Sequence, residues 1–441
     1  MTVSIVLQFL VVLAAIWMGA RSSGIGLGLW GAVGLMVLVG AFGIAPTSPP
    51  VDVMLIILAV IMAASVMEAA GGIDFLVGIA ERIIRANPKY VTIVAPLTTW
   101  TFTFLAGTGH IVYPLLPVIY ETAHRSGIRP ERPMAVATIA SQQAITASPV
   151  AAATAAMIGM FAEKGMTDWG LREILMICVP ATLVGVVAAA IVSMFIGKDL
   201  KDDKVYQARL AAGEIPAPQS AAQRPVLKPT AKLAAFVFLS GVALVVLFGF
   251  FPALRQLPGA KSPLSMPIVI EIIMMSIAAI MLLVTKVAVD DVPKTATLRA
   301  GVVAVIGIFG LAWLGDSFIS ANKDLIVPAI GEWAKVAPWT FAFGLFLASV
   351  LLYSQAATTR ALMPLGVVLG IPPQFLIGMF PAVNGYFFIP TYGSLIAAIN
   401  FDLSGTTKIG RYVLNHSFMI PGLVATVVSV ATGLLIARMI F

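Results

Sequence analysis

Long apolar segments joined by short polar loops are the feature that most restricts how this chain can fold. Ten of them approach the roughly 20 residues that a helix needs to cross a bilayer: 3–20, 24–44, 51–70, 134–161, 173–196, 233–252, 266–286, 300–318, 374–398 and 412–439. The chain is 60% hydrophobic and only 11% charged, against roughly 25% charged residues in soluble proteins. We therefore predict an all-α polytopic protein of the lipid bilayer, with the N-terminal segment as its first span.

Two further apolar stretches, 91–120 and 338–371, are each interrupted near the middle. The first breaks at Gly107 to Gly109 and the second around Ser354 to Arg360, so each arm is too short for a comfortable crossing. If both stretches are re-entrant hairpins and the N-terminus is outside, most basic residues fall on the inner side, as the positive-inside rule expects. The outer loops then hold Lys164, Arg172, Arg255, Lys261, Lys323 and Lys335.

The same topology predicts two inverted repeats. The first, 1–197, contains the hairpin 91–120 and a broken helix at 134–161. A polar cytoplasmic linker, 198–232, joins it to the second repeat, 233–441, with the hairpin 338–371 and a broken helix at 374–398. The segments SVMEAAGGIDFL and AWLGDSFISANK end the third span of each half and show weak similarity. Both chain termini are predicted to be periplasmic.

Polar and helix-breaking residues gather in two stretches, Gly107–Pro149 and Ser354–Ser394. Irregular backbone at membrane depth is tolerated only where protein or a water-filled cavity surrounds it. One such stretch in each half is typical of the binding site of a secondary transporter. We therefore predict a secondary transporter.

The hairpin tips carry the first candidate binding residues. At such a turn, free backbone N–H groups and the positive end of a half-helix are suited to a carboxylate. His110 has three possible roles: proton carrier, hydrogen-bond donor to substrate, or internal histidine. The tips supply Gly107, Thr108, Gly109 and His110 in one half, and Ser354, Gln355, Thr358, Thr359 and Arg360 in the other.

The broken spans carry the second group. Carbonyls freed by proline, together with hydroxyls, can coordinate Na⁺, and freed N–H groups can hold an anion. The alternative is that these residues only bond to the backbone of ordinary spans. The candidates are Ser141, Gln142, Gln143, Thr146, Ser148 and Pro149, matched by Asn384, Tyr386, Pro390, Thr391, Tyr392 and Ser394.

Two charged residues lie deep in apolar segments. A cation at the depth of Arg360 costs on the order of 3 kcal/mol and is usually functional. It can clamp a substrate carboxylate, pair with a helix end, or be exposed by a shallower hairpin. The lone acid Glu271 is either a coupling proton site or a residue at the outer edge.

Other functional classes fit less well. The net charge of +7 is spread over loops, so it indicates topology and not nucleic-acid binding. Cys178 is the single cysteine, and no histidine has a metal-ligand partner at helical spacing, so no metal site is assigned. A cation/proton antiporter should place more acids at mid-membrane. An intramembrane hydrolase would depend on His110 with Ser141 or Thr108, and the known hydrolase motifs are absent. We predict no enzyme and no cofactor beyond Na⁺ or H⁺ as a coupling ion.

Several longer motifs resemble the anaerobic C4-dicarboxylate (Dcu) transporter family. In family order they are GTGHIVY (107–113), IRPERPMA (128–135), ASPV (147–150), SQAA (354–357), PTY (390–392), FDLSGTTKIGR (401–411) and NHSFMIPG (415–422). The resemblance covers nearly the whole chain apart from the linker.

The resemblance implies exchange or uptake of fumarate, succinate, malate or aspartate across the bacterial inner membrane. It also implies an elevator-type, dimeric transporter. The chain departs from the family pattern at Tyr353, at Thr359-Arg360 and at Leu395, where an acid is usual. One added cation and one lost acid favour a dianion over zwitterionic aspartate.

Overall fold

Helices form the regular structure of the computed structural model, which describes residues 2–22, 25–215, 227–260, 262–337, 339–352, 354–390, 392–410 and 414–441. Within those ranges, β-structure is limited to an isolated bridge between Ile409 and His416. The first half contains α1 (Thr2–Ser22), α2 (Gly26–Phe42), α3 (Val51–Ala69), α4 (Gly72–Ala86), α5 (Val91–Ala106), α6 (Val112–Arg125), α7 (Glu131–Gln143), α8 (Ala152–Glu163) and α9 (Leu171–Ser193).

A short helix, α10 (Lys204–Ala211), lies in the predicted linker. The second half contains α11 (Ala231–Phe250), α12 (Met266–Thr285), α13 (Ala296–Gly307), a π-helical turn (Ile308–Ala312), α14 (Trp313–Val336), α15 (Thr340–Leu352), α16 (Gln355–Val368), α17 (Pro373–Met379), α18 (Gly393–Phe401) and α19 (Met419–Ile440). Six helices of the described chain are long and apolar enough to cross a membrane: α3, α9, α11, α12, α19 and the run from α13 into α14. The all-helical, multi-pass class is thereby confirmed, whereas the number of about ten spans stays a prediction.

Both interrupted stretches are pairs of helices. Gly107 ends α5 with a positive φ of 72°, and its N–H bonds to the Thr103 carbonyl at 2.8 Å. A side chain there would be strained, and its Cβ would lie 2.5 Å from the Val150 carbonyl oxygen. In the second pair, α15 ends at Leu352 and α16 begins after Ser354. Its hydroxyl caps α16 by accepting the Ala357 N–H at 3.2 Å.

The two predicted broken spans are interrupted as well. After α7, a 3₁₀ turn at Ala144–Thr146 precedes α8, and after α17 two 3₁₀ turns lead toward α18. Elsewhere, glycines allow close helix packing: the backbone of α2 at Gly28 meets the π-helical turn at Gly310, where neither residue has room for a Cβ. The helices α9 and α19 pack along much of their length, so the ends of the two halves are in contact.

Candidate functional site

A cavity of about 640 Å³ lies where the two interrupted stretches meet α13. The predicted site residues that line it are Gly107, Thr108, Gly109, His110, Gln142, Ser354, Gln355 and Tyr392. They come from both halves of the chain. Residues that are more than 200 positions apart in sequence therefore share one cavity.

The first tip is shaped by tight backbone contacts. The Thr108 hydroxyl accepts the His110 N–H at 3.3 Å and so caps the 3₁₀ turn that precedes α6. At Gly109, a Cβ would collide with the side chain of Gln142. The His110 imidazole packs at 5.9 Å from the Tyr113 ring, and its Nδ1 has no hydrogen-bond partner within the described part of the chain. This tip therefore contains one buried imidazole nitrogen that has no hydrogen-bond partner among the described residues.

A network of side-chain amides joins the two halves beside the cavity. Gln355 donates to the Gln142 oxygen at 3.0 Å and to the Asn384 oxygen at 3.2 Å. Asn384 in turn donates to the Gln143 oxygen at 3.2 Å, and Gln143 donates to the Thr426 hydroxyl at 2.9 Å. These residues are buried, and a buried amide without a partner would cost free energy. The network therefore holds the second tip against both broken spans.

Several predicted binding hydroxyls are bonded to backbone instead. Ser141 donates to the Gly109 carbonyl at 3.0 Å and also contacts Thr103, and Ser148 donates to the Phe104 carbonyl at 2.7 Å. Thr358 and Thr359 are fully buried and bond to carbonyls one turn back at 2.8 and 2.7 Å. These four residues do not line the cavity. They position the backbone around it.

The remaining predicted residues take different places. Tyr386 is buried, with its ring 5.0 Å from that of Tyr392, and only Tyr392 reaches the cavity. Asn384 acts through the amide network. Pro149 is buried in the turn between α7 and α8. Thr391 lies outside the described residues.

Arg360 is away from this cavity. It is 2% exposed, its Nη2 pairs with the carboxylates of Glu163 and Asp316, and it borders a second cavity of about 630 Å³. Of the three roles considered for Arg360, these ion pairs match the structural one. The lone acid Glu271 lies partly buried on α12 and lines neither cavity.

One wall of the first cavity was not foreseen from the sequence. It is formed by α13, through Arg299, Ala300, Val303, Ala304 and Gly307. The acid Glu68, which lies in the segment SVMEAAGGIDFL, accepts the N–H groups of Ala296 and Thr297, both at 3.0 Å, and so caps this helix. The sequence signal for such a wall is a set of small residues at helical spacing that follows a basic residue.

A metal site finds no support in the described residues, which contain no group of three or more His, Cys, Asp or Glu side chains that could hold an ion.

Comparison with known proteins decides the family. The model of the family described as "Anaerobic c4-dicarboxylate membrane transporter" matches residues 4–441. The chain belongs to this family. The predicted resemblance is therefore confirmed, and so is the prediction of a membrane transporter instead of an enzyme.

Two relatives align with this chain over nearly its full length. The anaerobic C4-dicarboxylate transporter DcuB of Escherichia coli O6:H1 is 40% identical over 439 residues, covering 98% of both chains. The C4-dicarboxylate transporter DcuA of Wolinella succinogenes is 41% identical over 438 residues, covering 98% of this chain and 99% of the relative.

Two solved transporters share the fold at low identity. Alcanivorax borkumensis YdaH aligns with a TM-score of 0.57 at 15% identity, over 92% of this chain and 87% of its own. Neisseria gonorrhoeae MtrF aligns with a TM-score of 0.55 at 12% identity, over 92% and 84%. The family member described here therefore has the fold of known membrane transporters.

Proposed function

We propose that this family member carries C4-dicarboxylates across the bacterial inner membrane by exchange or by cation-coupled uptake. The first cavity is the main support for this proposal, because residues at the tips of both helix pairs line it. Its described lining includes backbone and amide groups of both halves and no Asp or Glu. Such a lining favours an anion, and the relatives named above are C4-dicarboxylate transporters.

Two helix N-termini border this cavity. The 3₁₀ turn that leads into α6 contributes Gly109 and His110, and α16 contributes Gln355, Ala356 and Ala357. The first N–H groups of a helix have no partner within the helix, and each N-terminus carries about half a positive charge. One carboxylate at each tip would separate the two negative charges of a four-carbon diacid. Fumarate, succinate and malate each carry a carboxylate at both ends of a four-carbon chain.

The proposed mechanism is alternating access of the elevator type. We assign the two helix pairs as re-entrant hairpins of inverted repeats and both termini to the periplasm. In this orientation, the positive-inside rule would have the first cavity, with Arg299, open toward the cytoplasm and the second cavity, with Lys164 and Lys323, open toward the periplasm. The described side chains of the tips hold no acid, so a coupling Na⁺ would bind hydroxyl and carbonyl oxygens. We also propose a homodimer.

Counterflow in proteoliposomes tests the function. Vesicles loaded with unlabelled succinate should accumulate labelled fumarate without any chemical product. The assay is run with and without Na⁺, and accumulation that requires Na⁺ would identify Na⁺ as the coupling ion. A monocarboxylate such as butyrate should not replace internal succinate. If no four-carbon diacid is exchanged under either condition, the proposal is wrong.

A further inference from the structure

Arg299 is the charged residue of the first cavity. Among the described residues that line this cavity, it is the one side chain that carries a full charge at neutral pH. We propose that Arg299 binds one carboxylate of the substrate and makes the site select dianions over monoanions. This inference rests on the proposed function and assigns a specificity-determining residue to it.

The Arg299 guanidinium is available to a ligand. The side chain is exposed, and its hydrogen bond within the described chain runs from Nε to the Thr295 carbonyl at 3.4 Å. No carboxylate of the described residues lies within ion-pair distance of it. By contrast, Arg129 is bound to Glu131 and Asp203, both at 2.6 Å.

An acid at the beginning of α13 is already engaged. Glu68 accepts backbone N–H groups from Ala296 and Thr297 with both of its oxygens. This cap fixes the beginning of α13 one turn before Arg299 and leaves the guanidinium without a competing partner. The Glu68 contact therefore positions the helix that carries the proposed binding residue.

The rest of the wall leaves room for a ligand. Ala300, Val303, Ala304 and Gly307 recur at helical spacing and form one face of α13. These side chains are small, so the cavity between this face and the tips stays open. A planar guanidinium at the beginning of that face can form two parallel hydrogen bonds with a carboxylate, which an ammonium group cannot do.

A topological role for Arg299 makes a different prediction. Basic residues in inner loops also orient membrane proteins, and any cation serves that purpose. Lys294, at the end of the 3₁₀ turn that precedes α13, is exposed and paired with Asp291 at 2.9 Å, and it does not line the cavity. Lys294→Gln is therefore the matched control for loss of one positive charge near the beginning of α13.

The experiment measures selectivity in proteoliposomes that contain the full chain. The two measured quantities are the KM for labelled succinate in counterflow and the inhibition constant of succinate monoamide, a monoanion of similar length. For Arg299→Gln we expect the succinate KM to rise about tenfold, with the monoamide constant within about twofold of wild type. Arg299→Lys should raise the succinate KM about threefold, because it keeps the charge and loses the paired hydrogen bonds. Lys294→Gln should change neither constant.

The possible failures are distinguishable. If the wild-type protein does not exchange succinate, the proposed function itself is wrong. The inference is overturned if wild type exchanges succinate and Arg299→Gln has the same ratio of dianion to monoanion affinity as wild type. Wild-type constants for Arg299→Lys would show that the charge alone binds the carboxylate and would overturn the paired hydrogen bonds of the guanidinium. Arg299→Lys keeps the positive charge at this position, so incorrect membrane insertion would not complicate the result.

Discussion

The guanidinium of Arg360 donates to the carboxylate of Asp316 at 3.1 Å, across 44 positions of sequence. The same nitrogen pairs with Glu163, so α16 is tied to both α8 and α14 by one buried cation. An arginine in this place has two acids as partners. These ion pairs favour a structural role at the second cavity, and the role of substrate clamp stays a prediction.

Replacing Arg360 should reduce stability more than substrate affinity. Arg360→Met leaves Glu163 and Asp316 without their shared cation, and breaking a buried ion pair costs about 3 kcal/mol. Thermal unfolding in detergent should show a clear loss, whereas the KM for succinate should stay within about twofold of wild type. Arg125→Met is the control, because the Arg125 side chain is 53% exposed in its ion pair with Glu121 and exposed pairs contribute less than about 1 kcal/mol. A large rise in KM with normal stability would restore the clamp.

The Gly107 turn should not tolerate a side chain. Gly107→Ala combines a positive φ with a Cβ that lies 2.5 Å from the Val150 carbonyl oxygen. The left-handed conformation alone costs an alanine about 1 kcal/mol, and crowding adds a further ~1–3 kcal/mol. Gly127→Ala isolates the first effect, because Gly127 has φ +69° and no heavy atom within 4 Å of its Cβ position. Equal losses of thermal stability in the two variants would show that the tip can relax.

The attachment of α10 should depend on pH. Asp203 accepts the N–H groups of Val205 and Tyr206 at 3.0 and 3.2 Å and pairs with Arg129. The hydrogen bond from Arg129 lowers the pKa of Asp203 from its ordinary value of 3.8. A lowered pKa in the folded state means that this contribution to stability is present above pH 3.8 and is lost as the pH falls through the folded value.

Hydrogen exchange of residues 204–211 measures this attachment. At neutral pH, Asp203→Asn should accelerate exchange in α10, because it removes the charge that binds Arg129 and weakens the cap. In the wild-type protein, the protection of α10 relative to the intrinsic exchange rate at each pH should fall only when the pH drops below 3.8. Exchange that is equally fast in both proteins at neutral pH would show that α10 is held by other contacts.

Local chemistry made the interruptions of the helices predictable. Gly107 and Gly109 break one apolar stretch, and Ser354 caps the helix that resumes the other, so backbone preference alone indicates both positions. The contacts across the fold were not predictable in the same way. Glu68 ends an apolar span in the sequence, and only the structure shows that it caps α13; the π-helical turn at Ile308–Ala312 lies within a uniformly apolar run. Such features depend on which helices meet, and a single sequence does not encode that as a local pattern.

The candidate site was predictable to a similar extent. Residues at the tips, such as Thr108 and Gln355, line the cavity as their positions next to the interruptions suggested. Hydroxyls within helices, such as Thr358 and Thr359, bond to the preceding turn, because a local carbonyl is always within reach. Arg299 was not among the predicted site residues, since its place in the cavity depends on how α13 packs.

The amide network allows a direct test of the cavity. Gln355 and Gln143 are both buried and both bond to Asn384, but only Gln355 lines the cavity. Replacing either by leucine removes hydrogen bonds and should lower stability by about 1–3 kcal/mol. Gln355→Leu should in addition raise the KM for succinate about tenfold, because it replaces a polar group at the proposed carboxylate position with an apolar one. Counterflow and thermal unfolding of the two variants provide the comparison. An equal effect of Gln143→Leu on the KM would mean that the network acts only by shaping the protein, and that the first cavity does not bind substrate through Gln355.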